Sequence, residues 1–104
     1  MADDLARRLH DQGLSPTGWS NDPGERYATH AHPYDKIIAV KRGSIRFAVP
    51  VSDETVDLVT GDRLDLPAGT SHGAIVGPDG VTRLEAHLPA GSLDAVARRS
   101  AGSW

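Results

Sequence analysis

The sequence predicts an all-β domain built from short strands. Segments in which apolar or β-branched side chains alternate with polar ones follow one another from Arg26 to Leu88. Turn residues separate these segments, and eleven glycines and seven prolines are spread over the whole chain. Short strands at even spacing are typical of a sandwich or barrel. The length of 104 residues allows one such domain.

A short helix is predicted ahead of the strands, from Asp3 to Leu14. Leu5 and Leu9 share one face of this segment, and Gly13 is a suitable place for the helix to stop. Because the apolar stripe is narrow, we expect the helix to lie against another element and not to form the core.

The predicted strands follow the helix in order. The pattern is clearest in residues 44–51, where Ile45, Phe47 and Val49 alternate with polar or small side chains, as in a half-buried strand. The other predicted strands cover residues 26–32, 36–41, 55–59, 63–66, 72–76 and 81–88.

The chain divides into three predicted regions. Residues 1–18 form the helix and its lead-in, residues 19–91 form the barrel, and residues 92–104 form a tail. Within the tail, Ser92 is a possible cap for a final helical turn that reaches Arg99, and residues 100–104 are expected to be a loose end.

Composition excludes several classes of function. The net charge is -3 and the basic residues are scattered, so a nucleic-acid partner is not expected. The chain has no cysteine, which excludes disulfides and cysteine-ligated zinc or iron–sulfur sites. It also has no apolar run of membrane-spanning length, and the acidic start at residues 1–4 is unlike a signal peptide. We therefore expect a cytoplasmic protein with no membrane partner.

The composition also indicates a modest core. Aromatic residues make up only 5% of the chain, so Val, Leu, Ile and Ala must fill the interior. A short chain buries a small fraction of its surface, and association into a homodimer would bury more. A homodimer is therefore the expected assembly.

The histidines carry the functional prediction. His30 and His32 flank one residue of a strand, so their imidazoles point to the same face. His72 becomes a third ligand if its strand packs beside that pair. Three neutral imidazoles suit a divalent transition metal such as Fe, Mn, Zn, Ni or Cu, with positions left open for water or substrate. The alternative is a surface pair of histidines with no third partner.

Glycines and prolines around the histidines form two recognisable motifs. The first comprises Gly24, His30, His32, Lys36 and Gly43, and the second comprises Gly61, Pro67, Gly69 and His72. In spacing and order these resemble the two motifs of the cupin superfamily, in its small single-domain form. The resemblance implies a jelly-roll β-barrel, usually a homodimer, with a metal ion inside the barrel mouth. By this resemblance the metal ligands are His30, His32 and His72.

The first motif departs from the family pattern at one ligand. Cupins normally place a glutamate three or four residues after the second histidine, and here those positions hold Lys36 and Ile37. The site therefore resembles the three-histidine variant of the family, or a site that has lost some metal affinity. In the second motif, an asparagine of the pattern is replaced by Val76.

Lys36 is predicted to point inward with the ligands, and three roles are open for it. It acts as a general base or binds a substrate carboxylate near the metal. Alternatively, it is paired structurally with Asp35, Asp65 or Glu85. In the third interpretation its ammonium takes the place of the ion, which makes a metal-free binding barrel.

Other side chains have weaker candidate roles. Tyr34 is a candidate hydrogen-bond donor at the pocket mouth, or a loop tyrosine packed on Pro33. His87 is a base behind the metal ligands if its strand face is interior, and otherwise a surface histidine. Two arginines, Arg46 and Arg63, are expected to be solvated. The aromatic residues Phe47 and Trp19 are expected in the core or in dimer contacts, and His10 is given no role.

The sequence thus predicts a small metal-binding cupin, with a metal-dependent enzyme as the leading hypothesis. The reaction would be of the dioxygenase or isomerase type, on a small oxygenated and anionic molecule, with Lys36 and Tyr34 as catalytic candidates. The alternative is a non-catalytic barrel that binds or senses a small ligand. A third possibility is a structural dimer with an incidental metal.

Overall fold

Seven antiparallel strands, one α-helix and a short 3-10 helix at Pro50–Ser52 account for most of the described residues. The computed structural model describes residues 2–104, with side chains from residue 4 onward. The elements are α1 (Ala2–Asp11), β1 (Thr17–Asn21), β2 (Arg26–His30), β3 (Asp35–Val49), β4 (Glu54–Val59), β5 (Arg63–Leu66), β6 (His72–Leu88) and β7 (Ala97–Arg99). The predicted all-β class is confirmed, with the helix at the N-terminus.

The two long strands β3 and β6 organise the sheet. The strand order is β1-β6-β3-β5-β7, with β2 paired to β6 and β4 paired to β3. One half of each long strand therefore lies beside one short strand, and the other half lies beside another. The result is a jelly-roll with its interior between the two halves of the sheet.

Each long strand was expected as two shorter ones, and glycine is the reason for the difference. Gly43 and Gly80 have φ values of 83° and 79°, so they bend the strands without ending them. A Cβ atom at Gly43 would lie 2.1 Å from the carbonyl oxygen of Gly80, so the two chains meet closely at the bend. The register between β3 and β6 shifts on both sides of this point.

The predicted alternation of β3 is confirmed by burial. Ile45, Phe47 and Val49 are each at most 2% exposed. The interior cluster of buried residues is Ile38, Val40, Ile45, Phe47, Val56, Leu58, Leu64, Leu66, Val76 and Val81. On the opposite face of β3, Ile37 and Ala39 pack in a second cluster that includes Leu5 and Leu9 of α1. The helix therefore covers the outside of the sheet, as its narrow apolar stripe predicts.

The C-terminal region differs from the expectation. The predicted helical turn from Ser92 to Arg99 does not form, and β7 pairs instead with β5. The arginines explain this, because Arg98 binds Asp62 at 2.9 Å and Arg99 binds Asp65 at 3.1 Å. The expected loose end is also wrong, since the indole Nε1 of Trp104 donates to the carbonyl of Gly61 at 3.0 Å.

None of the helices in the described part of the chain has the length and hydropathy needed to cross a membrane. The domain boundaries and the homodimer stay predictions. Three large apolar side chains are well exposed, namely Trp19 at 53%, Val51 at 85% and Val59 at 53%.

Candidate metal centre and ligand pocket

The three histidines of the two sequence motifs come together at one end of the interior. His30, the last residue of β2, is directly opposite His72, the first residue of β6. His32 follows just after β2, and its ring lies 4.7 Å from that of His30 and 5.3 Å from that of His72. One ring nitrogen from each histidine lies within 4.8 Å of the others. This arrangement can converge on one ion after small side-chain movements.

Backbone carbonyls orient two of the three imidazoles. His30 Nδ1 lies 2.7 Å from the carbonyl of Ala28, and His72 Nδ1 lies 2.9 Å from that of Thr70. A carbonyl only accepts hydrogen bonds, so each Nδ1 must carry the proton and each Nε2 keeps its lone pair. Metal-binding histidines are typically held by such a bond on the nitrogen opposite the ion. These two residues therefore fit the role of metal ligands.

A single loop, residues 67–71, positions parts of both motifs. The amide of Gly69 donates to the carbonyl of His32 at 2.9 Å, and Thr70 holds the His72 ring. Asp35 secures the same loop by accepting from the amide of Ala68 at 2.7 Å. Its other oxygen accepts from the amide of Leu93 at 2.6 Å. Asp35 therefore serves the loops and not the metal centre.

Two of the three imidazoles are held neutral by their surroundings. Burial, followed by the positive charge of Lys36, lowers the pKa of His32 from 6.5 to about 4. Burial also lowers the pKa of His72, and the hydrogen bond to Thr70 opposes that shift only in part. Neutral imidazoles are the form that binds a metal ion.

Lys36 lies inside the same site, as strand parity predicts. Its ammonium donates to His32 Nε2 at 3.3 Å and forms an ion pair with Glu85 Oε1 at 3.4 Å. Among the three acidic partners considered for it, Glu85 is the one that it meets. The contact with His32 occupies the lone pair that an ion would need. The three imidazoles fit a divalent metal, provided that the Lys36 side chain shifts away from His32.

Tyr34 and His87 extend the site outward as a stack of rings. The Tyr34 ring lies 5.0 Å from His32 and 4.1 Å from His87, nearly parallel to both. The Tyr34 hydroxyl is 3.2 Å from His32 Nδ1. His87 is exposed, as a surface histidine would be. Tyr34 therefore lies beside a candidate metal ligand. Together with His87 it also lines a cavity of about 310 Å³.

A cavity of about 220 Å³ adjoins the triad, and most of its lining residues were not predicted as site residues. Arg83 and Glu85 reach it from β6, and Tyr27 reaches it from β2. Trp19 lines the cavity while staying 53% exposed, so it is not a core residue. In the sequence, Arg83, Glu85 and His87 are spaced two residues apart on one strand, which indicates that they share a face of the sheet. The sequence did not decide whether that face is interior.

The two arginines expected to be solvated behave differently. Arg46 is exposed, with 59% of its side chain accessible, and pairs with Asp57 at 2.6 Å. Arg63 contradicts the prediction, because only 8% of the residue is accessible. Helix α1 supplies one reason, since Arg63 Nη1 donates to Gln12 Oε1 at 2.7 Å just after the helix. Phe47 is confirmed as a core residue and His10 is exposed.

No family model and no curated protein matches the sequence. Solved structures do match. A conserved protein of unknown function from Streptococcus pyogenes superimposes with a TM-score of 0.62 at 23% identity, over 79% of this chain and 67% of that one. YhaK from Escherichia coli superimposes with a TM-score of 0.69 at 16% identity, over 86% of this chain and 43% of that one.

Oxalate decarboxylase from Bacillus subtilis, a protein with Mn(II) centres, is a further match. Its TM-score is 0.63 at 22% identity, over 86% of this chain. The chain spans about a quarter of that enzyme's length, since it covers 24% of it. At such identities the likeness establishes the architecture and carries no activity across. The chain therefore has the cupin-type jelly-roll fold of these proteins, with paired long strands and three histidines at one end of the interior.

Proposed function

We propose that the chain is a metal-binding cupin in which His30, His32 and His72 hold a divalent transition-metal ion. The observation that carries this proposal is the hydrogen bonding of His30 and His72, whose Nδ1 atoms face carbonyls at 2.7 and 2.9 Å. Both rings therefore keep Nε2 free as a ligand atom, and one ring nitrogen of each of the three histidines lies within 4.8 Å of the others. A bound ion would act as a Lewis acid that polarises an oxygen of a small molecule.

The chain's own residues make a small, oxygenated and anionic molecule the best candidate substrate. No carboxylate belongs to the three-residue ligand cluster in the described residues, so the centre would keep the full charge of the ion. Lys36 adds a further positive charge within reach of His32. We propose an enzyme of the oxygenase or isomerase type, in which Lys36 binds the substrate or moves a proton at its Nζ. Tyr34 would orient His32 through its hydroxyl.

The contact between Lys36 and His32 favours a second candidate function. An ammonium that already occupies the His32 lone pair at 3.3 Å supports a barrel that binds or senses a small anion without catalysis. In that case the positive charge in the site belongs to the chain itself. The two candidates differ in metal content and in turnover, and both are measurable.

Metal analysis of protein purified without a histidine tag tests the leading proposal. We expect about one transition-metal ion per chain, since a three-imidazole centre binds such ions through deprotonated nitrogen atoms. The His72→Ala variant should contain no bound metal ion. The His10→Ala variant, which alters an exposed histidine of α1, should bind as much metal as the wild type. A wild-type protein that stays metal-free after incubation with Fe(II), Mn(II) and Zn(II) would exclude the metal-binding function.

Turnover separates the enzyme from the sensor. The iron-loaded protein would be mixed with diketones, thiols and hydroxy acids while oxygen uptake and product isomers are followed. Oxygen uptake indicates an oxygenase, and isomerised product without uptake indicates an isomerase. Binding of a panel member with neither change would favour the non-catalytic barrel.

A further inference from the structure

The cavity beside the triad has a charged wall and an apolar wall. Lys36, Arg83 and Glu85 form the charged side, and Ile38, Phe47 and Ala74 form the apolar side. Its volume of about 220 Å³ is below the ~300–1,000 Å³ usual for ligand sites, so it suits a small molecule.

The charged wall is not neutral. One carboxylate, Glu85, faces two cations, with Lys36 on Oε1 and Arg83 on Oε2. All three side chains are close to nine-tenths buried, with 11%, 11% and 8% of their surface accessible for Lys36, Arg83 and Glu85. One positive charge is therefore left over in a partly dry pocket. An uncompensated buried charge is unfavourable, and a monoanion in the cavity would neutralise it.

The hydrogen bonds of this wall are also incomplete. The ion pairs of Glu85 measure 3.4 Å to Lys36 and 3.2 Å to Arg83, longer than the ~2.7–2.9 Å of strong charge-assisted bonds. Within residues 4–104, nothing accepts a hydrogen bond from the buried Nε of Arg83. The Cζ atom of Arg83 lies 5.3 Å from the centroid of the Tyr27 ring, within the range of a cation–π contact that helps to hold the guanidinium beside the cavity.

We propose that Arg83, with Lys36, binds the carboxylate of a small monocarboxylic acid whose apolar part packs on Ile38, Phe47 and Ala74. This inference deepens the proposed function by naming its ligand class, and rests on it for the cavity being the ligand site. A carboxylate matches the planar fork of a guanidinium. It also brings a negative charge to a cluster in which two cations face one carboxylate.

Nuclear magnetic resonance titration of the full-length protein tests this assignment with matched probes. Isobutyrate and benzoate carry the carboxylate, and isobutyramide and benzamide have the same shape without the charge. We expect the acids to bind at least tenfold more tightly than the amides and to move the Nε–H signal of Arg83. Arg83→Gln should abolish this preference while amide binding is unchanged. Arg46→Gln alters an exposed arginine of β3 that does not line this cavity, so this variant should bind acids and amides as the wild type does.

A second variant and a second condition keep the result decisive. Arg83→Lys preserves the charge but not the fork, so acid binding should weaken about tenfold; wild-type affinity in this variant would overturn the assignment. Equal binding of acid and amide to the wild-type protein would overturn it as well. The titrations are repeated after treatment with 1,10-phenanthroline, a neutral chelator. If the metal analysis described above finds no bound ion and the Arg83-dependent preference for acids persists, the metal proposal is refuted and the carboxylate proposal is supported.

Discussion

Two buried carboxylates in this protein are each shared between two cations, and they differ in how completely they are bonded. Asp65 accepts from Arg63 at 2.7 Å and from Arg99 at 3.1 Å. Arg63 also donates to Gln12 at 2.7 Å and lies 5.2 Å from the ring of Trp104. The cluster ties Gln12, β5 and the C-terminal segment together, and its two bonds of 2.7 Å have the length of strong hydrogen bonds.

Glu85 also faces two cations, but its hydrogen bonding is less complete than that of Asp65. Its contacts with Lys36 and Arg83 are longer than those of Asp65, and an Arg83 nitrogen finds no acceptor among the described side chains and backbone. This second cluster lines the cavity beside the triad, and the lining of that cavity does not include Asp65, Arg63 or Arg99. The comparison teaches that incomplete bonding of buried charges, more than their presence, distinguishes a ligand wall from a structural tie.

The largest expected difference is in stability. Arg63→Gln should lower the free energy of unfolding by about 3–5 kcal/mol, because it leaves Asp65 buried with only Arg99. Arg83→Gln should cost only about 1 kcal/mol, because it also removes a buried donor whose lack of a partner itself costs ~1–3 kcal/mol. Urea unfolding followed by circular dichroism measures both. Equal losses would mean that the two clusters do not differ.

A second effect concerns metal affinity at the incomplete cluster. Lys36→Met releases the His32 lone pair and removes a positive charge from the site, so divalent metal binding should tighten about tenfold, equivalent to about 1.4 kcal/mol. Competition with a chromophoric zinc chelator gives the affinity. Lys41→Met is the matched control, since Lys41 lies on the same strand outside the cavity. Unchanged or weaker zinc binding in Lys36→Met would show that Lys36 does not compete with the ion.

A smaller effect is a pH dependence carried by the imidazoles of the site. The folded pKa of His32 is about 4 and its ordinary value is 6.5, so the unfolded chain binds more protons between these values. Stability of the metal-free protein should therefore be complete above about pH 6.5 and fall as the pH drops toward 4. Urea midpoints at constant ionic strength measure this, and His32→Gln should flatten the profile. A midpoint that is equal at pH 7 and pH 5 would contradict the assignment.

The smallest effect is expected at the exposed ion pair. Arg46 and Asp57 are 2.6 Å apart, yet 59% and 62% of their side chains are accessible. Arg46→Gln should change the free energy of unfolding by less than about 1 kcal/mol. Thermal unfolding at low and high salt checks this. A loss as large as that of Arg63→Gln would show that bond length alone, without burial, governs these pairs.

The sequence predicts the architecture and the triad because both depend on local spacing. Alternation at Ile45, Phe47 and Val49 marks the interior face, and a two-residue step puts His30 and His32 on one side of a strand. His72 was found through its motif, and the structure brings its ring nitrogen to the others. The identity of these residues as metal ligands stays a prediction.

The remaining features depend on contacts that local pattern does not contain. Alternation predicts that Arg63 is solvated, but Gln12, just after α1, and the ring of Trp104 contact its side chain. Residues 97–99 show no apolar alternation, so the sequence does not predict β7. Ion pairs of Arg98 and Arg99 with aspartates hold this strand in place. The interior position of Arg83 follows from its pairing opposite Val40, a buried residue of β3, and this pairing across the sheet is not visible in the sequence.

The bonds of Asp35 bear on how this centre can be engineered. One buried carboxylate joins the loop that holds His72 to the loop that precedes the C-terminal strand, through the amides of Ala68 and Leu93. The triad is therefore not a portable set of three histidines. A graft of the triad onto another barrel would have to carry Asp35 and both loops, and a redesign of the segment around Leu93 would disturb the loop that holds His72.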